Sequence, residues 1–356
     1  MKSGATVWVS TVVFMWGLVT QNQSMSGGKP AAKPHQRPPV LAALDLGTNN
    51  CRLLVAVPDK TQPQGFRVED AFSRIVRLGE GVSRSGSLQD EAVERTLEAL
   101  GICQRKMARH NVTHARAVAT EACRRAENGG KFLATASNLL GVPIEMIPSA
   151  EEARLAMLGC APLLHAEQPY ALMFDIGGGS TELIWMQVGA DAAPQLLDHI
   201  SLPYGVVSFT EEFGGDHVSD AVYATMVTRV REGLTDFSAH HGIAPLLATG
   251  KVQMVGSSGT VTTLAGVLRG LKRYQRSLID GCIMQVTEAQ QVTDSIRGLD
   301  FAGRAAIPCI GEERADLVVA GCAILQAITE TWPVSQFRIG DRGLREGILT
   351  ELLAQL

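Results

Sequence analysis

The sequence lacks two features that would assign it to a common class at once. Its seven cysteines, an odd number, include no CxxC pair, so neither a zinc site of paired cysteines nor a complete disulfide framework is indicated. It also lacks an excess of positive charge, because the net charge is −4 at pH 7, and this excludes a broadly basic nucleic-acid binder. Scattered cysteines in apolar segments are typical of reduced core residues, and we therefore expect a cytoplasmic protein.

A long apolar run is missing as well. Residues 5–20 resemble the apolar core of a signal peptide, but this run is short for a membrane-spanning helix. Residues 27–39 are rich in Pro, Lys and Gly, and we expect residues 1–39 to form a disordered or targeting-like tail. Export, anchoring and a true start near Met25 are the three explanations of this tail. The last fits a cytoplasmic chain, for which no stable membrane association is expected.

The most informative stretch is a glycine-rich turn between two apolar runs, residues 175–182, which read DIGGGSTE. Its three glycines allow main-chain N–H groups to converge on an anion, as in a phosphate cradle. Asp175 and Glu182 could face this cradle together and hold a divalent cation or orient a water molecule. The alternative is an incidental glycine hairpin, which is disfavoured because Asp and Glu are poor strand formers.

A second copy of this pattern begins at Asp45, where residues 45–50 read DLGTNN between two apolar strands. The two aspartates are 175 − 45 = 130 positions apart, about the length of one domain. The repeat therefore predicts two α/β domains, 40–165 and 166–342, each contributing one phosphate turn to a cleft between them. We expect a closing helix at about 343–356 to pack back on the first domain.

Two further stretches have two explanations each. Ser149 and Glu152 have the spacing of a helix capping box, but Glu152 could instead point into the cleft as a general base. Residues 256–260, GSSGT, follow an apolar strand and precede a helix. They could bind an anion or a ribose at the helix N-terminus, or could simply be a close-packed turn.

Taken in order, these motifs resemble those of the exopolyphosphatase/guanosine pentaphosphatase family, which is related to sugar kinases, heat-shock ATPases and actin. The resemblance covers residues 40–356 and includes both phosphate turns, the segment EEAR at 151–154, the turn at 256–260 and GLREG at 343–347. It implies two ribonuclease-H-like, or actin-like ATPase, domains with an interdomain cleft. It also implies magnesium-assisted hydrolysis of a terminal phosphoanhydride.

The resemblance assigns roles to individual residues. Glu152 matches the family's catalytic base, and Asp175 and Glu182 match the acidic pair that supports the metal ion and the water. The remaining candidates, expected to contact phosphate or the rest of the substrate, are Asp45, Gly47, Thr48, Asn49, Arg52, Arg124, Gly177, Gly178, Gly179, Ser180, Gly256, Ser257, Gly259, Thr260 and Arg314.

The expected substrates are inorganic polyphosphate and guanosine pentaphosphate, with Mg²⁺ as the cofactor and no nucleic-acid partner; a homodimer is one option for the assembly. Nothing resembling a helical HD domain follows the last motif, so we expect reduced processivity on long polymers. Two alternatives stay open at this point. One is a small-molecule kinase that uses ATP, and the other is a nucleotide-gated scaffold of the actin type.

Overall fold

The computed structural model describes residues 38–189 and 193–356, so the apolar N-terminal run lies outside the described residues. The strands of the described chain are β1 (Leu41–Leu46), β2 (Asn50–Pro58), β3 (Phe66–Ile75), β4 (His114–Ala119), β5 (Ile144–Met146), β6 (Tyr170–Ile176), β7 (Thr181–Gln187), β8 (Gln195–Leu202), β9 (Val252–Ser257), β10 (Ile283–Gln285) and β11 (Gln336–Gly340).

The helices are α1 (Val82–Ser85), α2 (Asp90–Arg109), α3 (Glu121–Arg125), α4 (Gly129–Leu140), α5 (Ser149–Cys160), α6 (Val206–Phe213), α7 (Asp220–His241), α8 (Ile243–Ala248), α9 (Gly259–Leu268), α10 (Arg276–Ile279), α11 (Val286–Arg297), α12 (Phe301–Ala305), α13 (Val318–Thr331) and α14 (Leu344–Ala354). Among the described residues, none of these helices combines the length and apolar character needed to cross a bilayer.

The strands form two sheets with the same internal order. The first sheet runs β3-β2-β1-β4-β5, and the second runs β8-β7-β6-β9-β11 with β10 added at its edge. In each sheet the first three strands of the chain are antiparallel neighbours. Strands β4, β5, β9 and β11 join in parallel, whereas the edge strand β10 pairs antiparallel with β11. The prediction of two α/β domains of the ribonuclease-H-like type is therefore confirmed.

Apolar sequence explains why these strands lie inside. β1 and β6 are buried along almost their whole length, as expected for central strands covered on both faces. In the second domain, one face of the sheet packs against α7, α9, α11 and α13 around the fully buried Trp332. In the first domain, α2 and α4 cover one face of the sheet. The C-terminal helix α14 covers the other face, where Ile348 and Leu349 are buried beneath β1 and β2.

Helix α5 joins the two domains. Its Leu155 packs with α14 on the first sheet, whereas Ala153 and Met157 pack on β6 and β7 of the second sheet. α5 and α14 cross at backbone distance, because a Cβ added to Gly347 would lie 2.0 Å from the carbonyl oxygen of Leu155. Helix α5 is therefore packed between the two domains, and Glu152 lies one residue before the buried Ala153 on this helix.

Candidate active site

The two predicted phosphate turns fold in the same way. In the first, the N–H of Gly47 donates to the carbonyl of Asn50 at 2.9 Å, and in the second, the N–H of Gly177 donates to the carbonyl of Ser180 at 2.9 Å. The strand register places Asp45 opposite Arg52 and Asp175 opposite Glu182. The repeat in the sequence is thus a repeat of hairpin geometry.

The carbonyl groups of both turns are bonded to flanking backbone. Asn49 accepts from the N–H groups of Val76 and Arg77 at 2.8 and 3.0 Å, in the loop after β3. On the opposite side, the N-terminus of α6 donates to the second turn, since Val207 N–H lies 2.8 Å from the Gly178 carbonyl. These hydrogen bonds fix the orientation of each turn, and in both turns a carbonyl oxygen is occupied by a flanking N–H group.

The N–H groups of the same turns are left free. Within residues 38–189 and 193–356, five N–H groups donate no hydrogen bond: those of Thr48, Asn49, Gly178, Gly179 and Ser180. The turns also touch each other: a Cβ added to Gly178 would lie 3.0 Å from the Cβ of Asn49. Five unpaired donors therefore lie in two touching turns, one from each domain, and an anion between the turns would satisfy them.

Four carboxylates lie around this point, and burial raises the pKa of each. The pKa of Asp175 is raised to about 7 by burial and by nearby Glu152 and Asp45. The pKa of Glu182 is also raised to about 7, by burial and by Asp175. Burial and the charge of Glu182 raise the pKa of Glu152, and burial raises the pKa of Asp45. The cluster therefore concentrates negative charge that a bound cation would relieve.

Glu152 is held by an arginine from the first domain. Its carboxylate accepts from Arg124 Nη1 at 2.8 Å, and the same nitrogen donates to the Ile147 carbonyl. Arg124 also donates to Glu121 Oε2 through Nε and Nη2, at 3.2 and 2.9 Å. Four of its five N–H donors thus bond to the protein, and one Nη2 hydrogen has no partner in the described chain. Its role as a phosphate ligand stays a prediction, and what the structure shows is a positioning contact to Glu152.

The capping explanation for Glu152 is wrong. Helix α5 begins at Ser149, its N-cap is Pro148, and no side chain caps it. Ser149 is already the first helical residue, so its hydroxyl is not the acceptor for the free N–H groups of the first turn. Glu152 still lies in the first turn of α5, where the positive end of the helix dipole favours a carboxylate.

Glu182 is buried and held by two hydroxyl groups. Ser180 Oγ donates to its Oε1 at 2.6 Å, and Ser201 Oγ donates to the same oxygen at 3.0 Å. Its second oxygen lies on the side of the glycine turn, 3.9 Å from the position of a Cβ added to Gly177. The hydroxyl of Ser180 is therefore bonded to Glu182, whereas the N–H of Ser180 stays available to a ligand.

These residues fit a divalent cation that is shared with a substrate. Among the described residues, no three His, Cys, Asp or Glu side chains are close enough to hold a metal ion by themselves. Mg²⁺ is commonly bound by one or two carboxylates together with water and substrate phosphate oxygens. The half-buried Asp175 and the buried Glu182, both with raised pKa values, match that donor set, because a cation beside them would restore their ionised forms.

Three arginines provide positive charge without an ion pair. Arg52, Arg314 and Arg345 have no carboxylate oxygen within 4 Å in the part of the chain that the structure describes. Burial together with the charge of nearby Arg52 lowers the pKa of both Arg314 and Arg345. Arginines that form no ion pair in the described chain favour a polyanionic ligand. Arg345 was not among the predicted site residues, although its motif at 343–347 was recognised.

The third predicted turn lies on the same edge of the second sheet. Because β9 runs parallel to β6, Ser257 lies beside Asp175, and its hydroxyl donates to the Arg342 carbonyl at 2.6 Å. Gly256 is required by packing, since an added Cβ would lie 2.5 Å from the Phe174 ring. Thr260 is buried against Gly321, whereas Gly259 faces open space. Ligand contact by this turn stays a prediction.

A contact across the cleft was not predicted at all. Arg77, in the loop that is bonded to Asn49, donates to both carboxylate oxygens of Asp316 at 2.8 and 3.0 Å. The N–H of Gly81 donates to Glu211 Oε1 at 2.6 Å, again from the first domain to the second. No sequence pattern pairs these residues, which are 130 or more positions apart. They hold the two turns together from one side.

The fold and the site define a two-domain enzyme that acts on phosphoryl groups, with opposed phosphate turns and a buried acid cluster. The chain belongs to the Ppx/GppA phosphatase family, whose sequence model matches residues 61–356. The first turn precedes the matched segment, so its part in the site rests on the structure. The kinase and scaffold alternatives receive no support from this match.

Individual relatives agree with the family assignment. The chain is 28% identical over 319 residues to a Haemophilus influenzae protein named provisionally as an exopolyphosphatase, covering 88% of this chain and 91% of the relative. A solved exopolyphosphatase-like protein has a TM-score of 0.78 at 29% identity, with 89% and 99% of the two chains covered. The Aquifex aeolicus member of the Ppx/GppA family has a TM-score of 0.72 at 25% identity, with 90% and 99% covered.

Proposed function

We propose that this protein is a cytoplasmic exopolyphosphatase that releases orthophosphate from the end of inorganic polyphosphate, with Mg²⁺ as cofactor. The observation that carries the proposal is the presence of five unbonded N–H groups in two touching turns, one from each domain, beside the carboxylates of Asp175 and Glu182. The names of the relatives support polyphosphate as the substrate. Seven free cysteines, six of them buried, support a reducing compartment.

In this proposal the terminal phosphate lies between the two turns. The free N–H groups of the turns bind its oxygens, and Arg52, Arg314 and Arg345 neutralise charge on this and the preceding phosphates. Donors that are fixed before the substrate arrives stabilise the charge that develops in the transition state without reorganisation. When bound, Mg²⁺ would supply further charge neutralisation, and Asp175 and Glu182 are the residues that would hold it.

Glu152 is the proposed general base. A water attacks the terminal phosphorus, the bridging P–O bond breaks, and the shortened polyphosphate leaves. The carboxylate of Glu152 accepts the proton of the water, and Arg124 fixes the orientation of that carboxylate at 2.8 Å. A raised pKa suits this role, because a general base is most effective when its pKa is near the working pH. Activity should therefore fall as the pH is lowered and Glu152 becomes protonated.

Guanosine pentaphosphate is the second proposed substrate, because its 5′ end presents the same kind of terminal phosphoanhydride. One assay separates the substrates. Orthophosphate release is measured from polyphosphate chains of several lengths, from guanosine pentaphosphate and from ATP, at equal concentrations and with Mg²⁺. The proposal expects polyphosphate to be hydrolysed fastest, and faster hydrolysis of ATP than of every polyphosphate chain would overturn it.

The variant Glu152→Gln tests the base in the same assay. We expect a loss of about 10²- to 10⁴-fold in turnover, the usual range for a general base. The matched control is Glu151→Gln, which changes the neighbouring glutamate. Glu151 pairs with Arg116 and Arg154 instead of facing the turns, so this control should keep activity within a few-fold. Equal activity in the two variants would remove Glu152 from the mechanism.

A further inference from the structure

The loop between α9 and α10, residues 269–275, carries an exposed aromatic side chain. Tyr274 is 46% exposed, whereas every other Phe, Trp and Tyr side chain that the structure describes is buried or half-buried. Within residues 38–189 and 193–356, its ring stacks on no other aromatic ring and on no arginine. The exposed side of this ring is therefore open to a flat ligand.

This loop is connected to the candidate active site through Arg276, the first residue of α10. Arg276 Nη2 donates to Glu346 Oε1 at 2.7 Å. The other oxygen of Glu346 accepts from the N–H of Gly343 at 3.0 Å, and a Cβ added to Gly343 would lie 3.9 Å from Asp175 Oδ2. A series of direct contacts thus joins the end of the loop to one of the carboxylates of the cleft.

The second sheet determines how far this loop lies from the phosphate turn. Because β6, β9 and β11 are parallel neighbours, Asp175, Ser257 and Asp341 lie at or just beyond the strand ends on the same edge. Two strand spacings, about 10 Å, separate Asp175 from Asp341. Burial and the charge of Asp341 raise the pKa of the Tyr274 hydroxyl, which therefore lies near this carboxylate. Between these strand ends, Gly259 faces open space, which leaves room for a ribose that follows a phosphate chain.

Tyr274 also lies on the same side of the cleft as the arginines. Burial and the charge of Arg52 lower the pKa of Arg314, and the Tyr274 hydroxyl acts on this guanidinium as well. The adjacent Lys272 and Arg273 are exposed, so the loop does not repel an anionic ligand. An exposed ring beside cations suits a nucleotide, because bases stack on aromatic side chains and a bare phosphate chain has no ring to stack.

We propose that Tyr274 is a specificity-determining residue that stacks on the purine base of guanosine pentaphosphate while the 5′ phosphates lie between the two turns. This inference rests on the proposed function, because the same turns place the phosphates. Stacking of a base on an aromatic side chain strengthens binding by about fivefold to a hundredfold. Polyphosphate has no base, so Tyr274 distinguishes the two proposed substrates.

The test compares kcat/KM for guanosine pentaphosphate with kcat/KM for tripolyphosphate in the same Mg²⁺ buffer. In Tyr274→Ala the ratio of the two values should fall by about fivefold to a hundredfold. Tyr274→Phe keeps the ring and should keep the ratio within a few-fold of the wild type. The matched control is Leu278→Ala, which removes a 42% exposed apolar side chain of α10 and should leave the ratio unchanged. An unchanged ratio in Tyr274→Ala, or an equal fall in Leu278→Ala, would overturn the proposal.

A binding measurement separates a failure of this proposal from a failure of the proposed function. Calorimetric titration of the full chain with guanosine diphosphate should give a Kd about fivefold or more higher for Tyr274→Ala than for the wild type and Leu278→Ala. If guanosine pentaphosphate is not hydrolysed, this titration alone decides whether Tyr274 binds the base. Equal Kd values for the wild type and Tyr274→Ala, or no binding by the wild type, would contradict the proposal.

Discussion

The two hairpins of the cleft have the same backbone and different chemistry. Each turn is closed by one backbone hydrogen bond of 2.9 Å, follows a strand that ends near an aspartate, and presents free N–H groups. They differ at the residue opposite the aspartate, which is Arg52 in the first hairpin and Glu182 in the second. The difference teaches that one turn design was adapted twice: opposite its aspartate the first hairpin has an arginine, and the second has another carboxylate.

Among the substitutions that test this comparison, Glu182→Gln is expected to have the largest effect on turnover. Glu182→Gln keeps the hydrogen bond acceptor for Ser180 and Ser201 but removes the charge, so turnover should fall by about 10²- to 10³-fold. The Mg²⁺ concentration for half-maximal activity should rise as well. Steady-state kinetics at several Mg²⁺ concentrations measure both. Glu212→Gln, an exposed α6 residue paired with Arg229, is the control, and a similar loss there would contradict the assignment.

A smaller effect, on binding, is expected at Arg52. Arg52→Gln removes a charge directed at the phosphates, so KM for polyphosphate should rise by about tenfold to a hundredfold, with a smaller change in kcat. KM should also become less sensitive to salt, because one screened charge is lost. Arg74→Gln on the adjacent strand β3 is the matched control, as its side chain is exposed. If kcat falls and KM stays constant, Arg52 acts in the chemical step instead.

The smallest expected effect is on stability. Because the pKa of Glu182 is raised to about 7 in the folded protein, folding favours its protonated form. This contribution is fully present below the ordinary carboxylate pKa of about 4 and is lost as the pH rises through about 7. The Tm of the wild-type protein should therefore fall more between pH 5 and pH 8 than that of Glu182→Gln, by a few degrees.

Differential scanning fluorimetry without added Mg²⁺ measures this difference, and Glu91→Gln, an exposed α2 residue, is the control. Parallel Tm curves for the wild type and Glu182→Gln would mean that Glu182 is ionised throughout this pH range.

The fold was largely predictable because its signals are local. An apolar strand, an acid, a glycine turn and a second apolar strand determine a hairpin through contacts within about ten residues, and both hairpins formed as predicted. The loop after β3 was less predictable. Strand β3 ends at Ile75, and Arg77 takes a positive φ of 48°, because the loop turns to bond Asn49 and to cross the cleft.

Within the site, the sequence alone determined which turns present free N–H groups and which acids flank them, because each turn is a short segment whose geometry depends on its own glycines. Only the tertiary structure decided which distant groups meet. Arg124 reaches Glu152, Arg77 reaches Asp316, and Arg345 lies near enough to Arg52 for that charge to lower its pKa. These pairs are 28 to 293 positions apart in the sequence, and they meet only in the folded chain, in which α5 packs against both sheets.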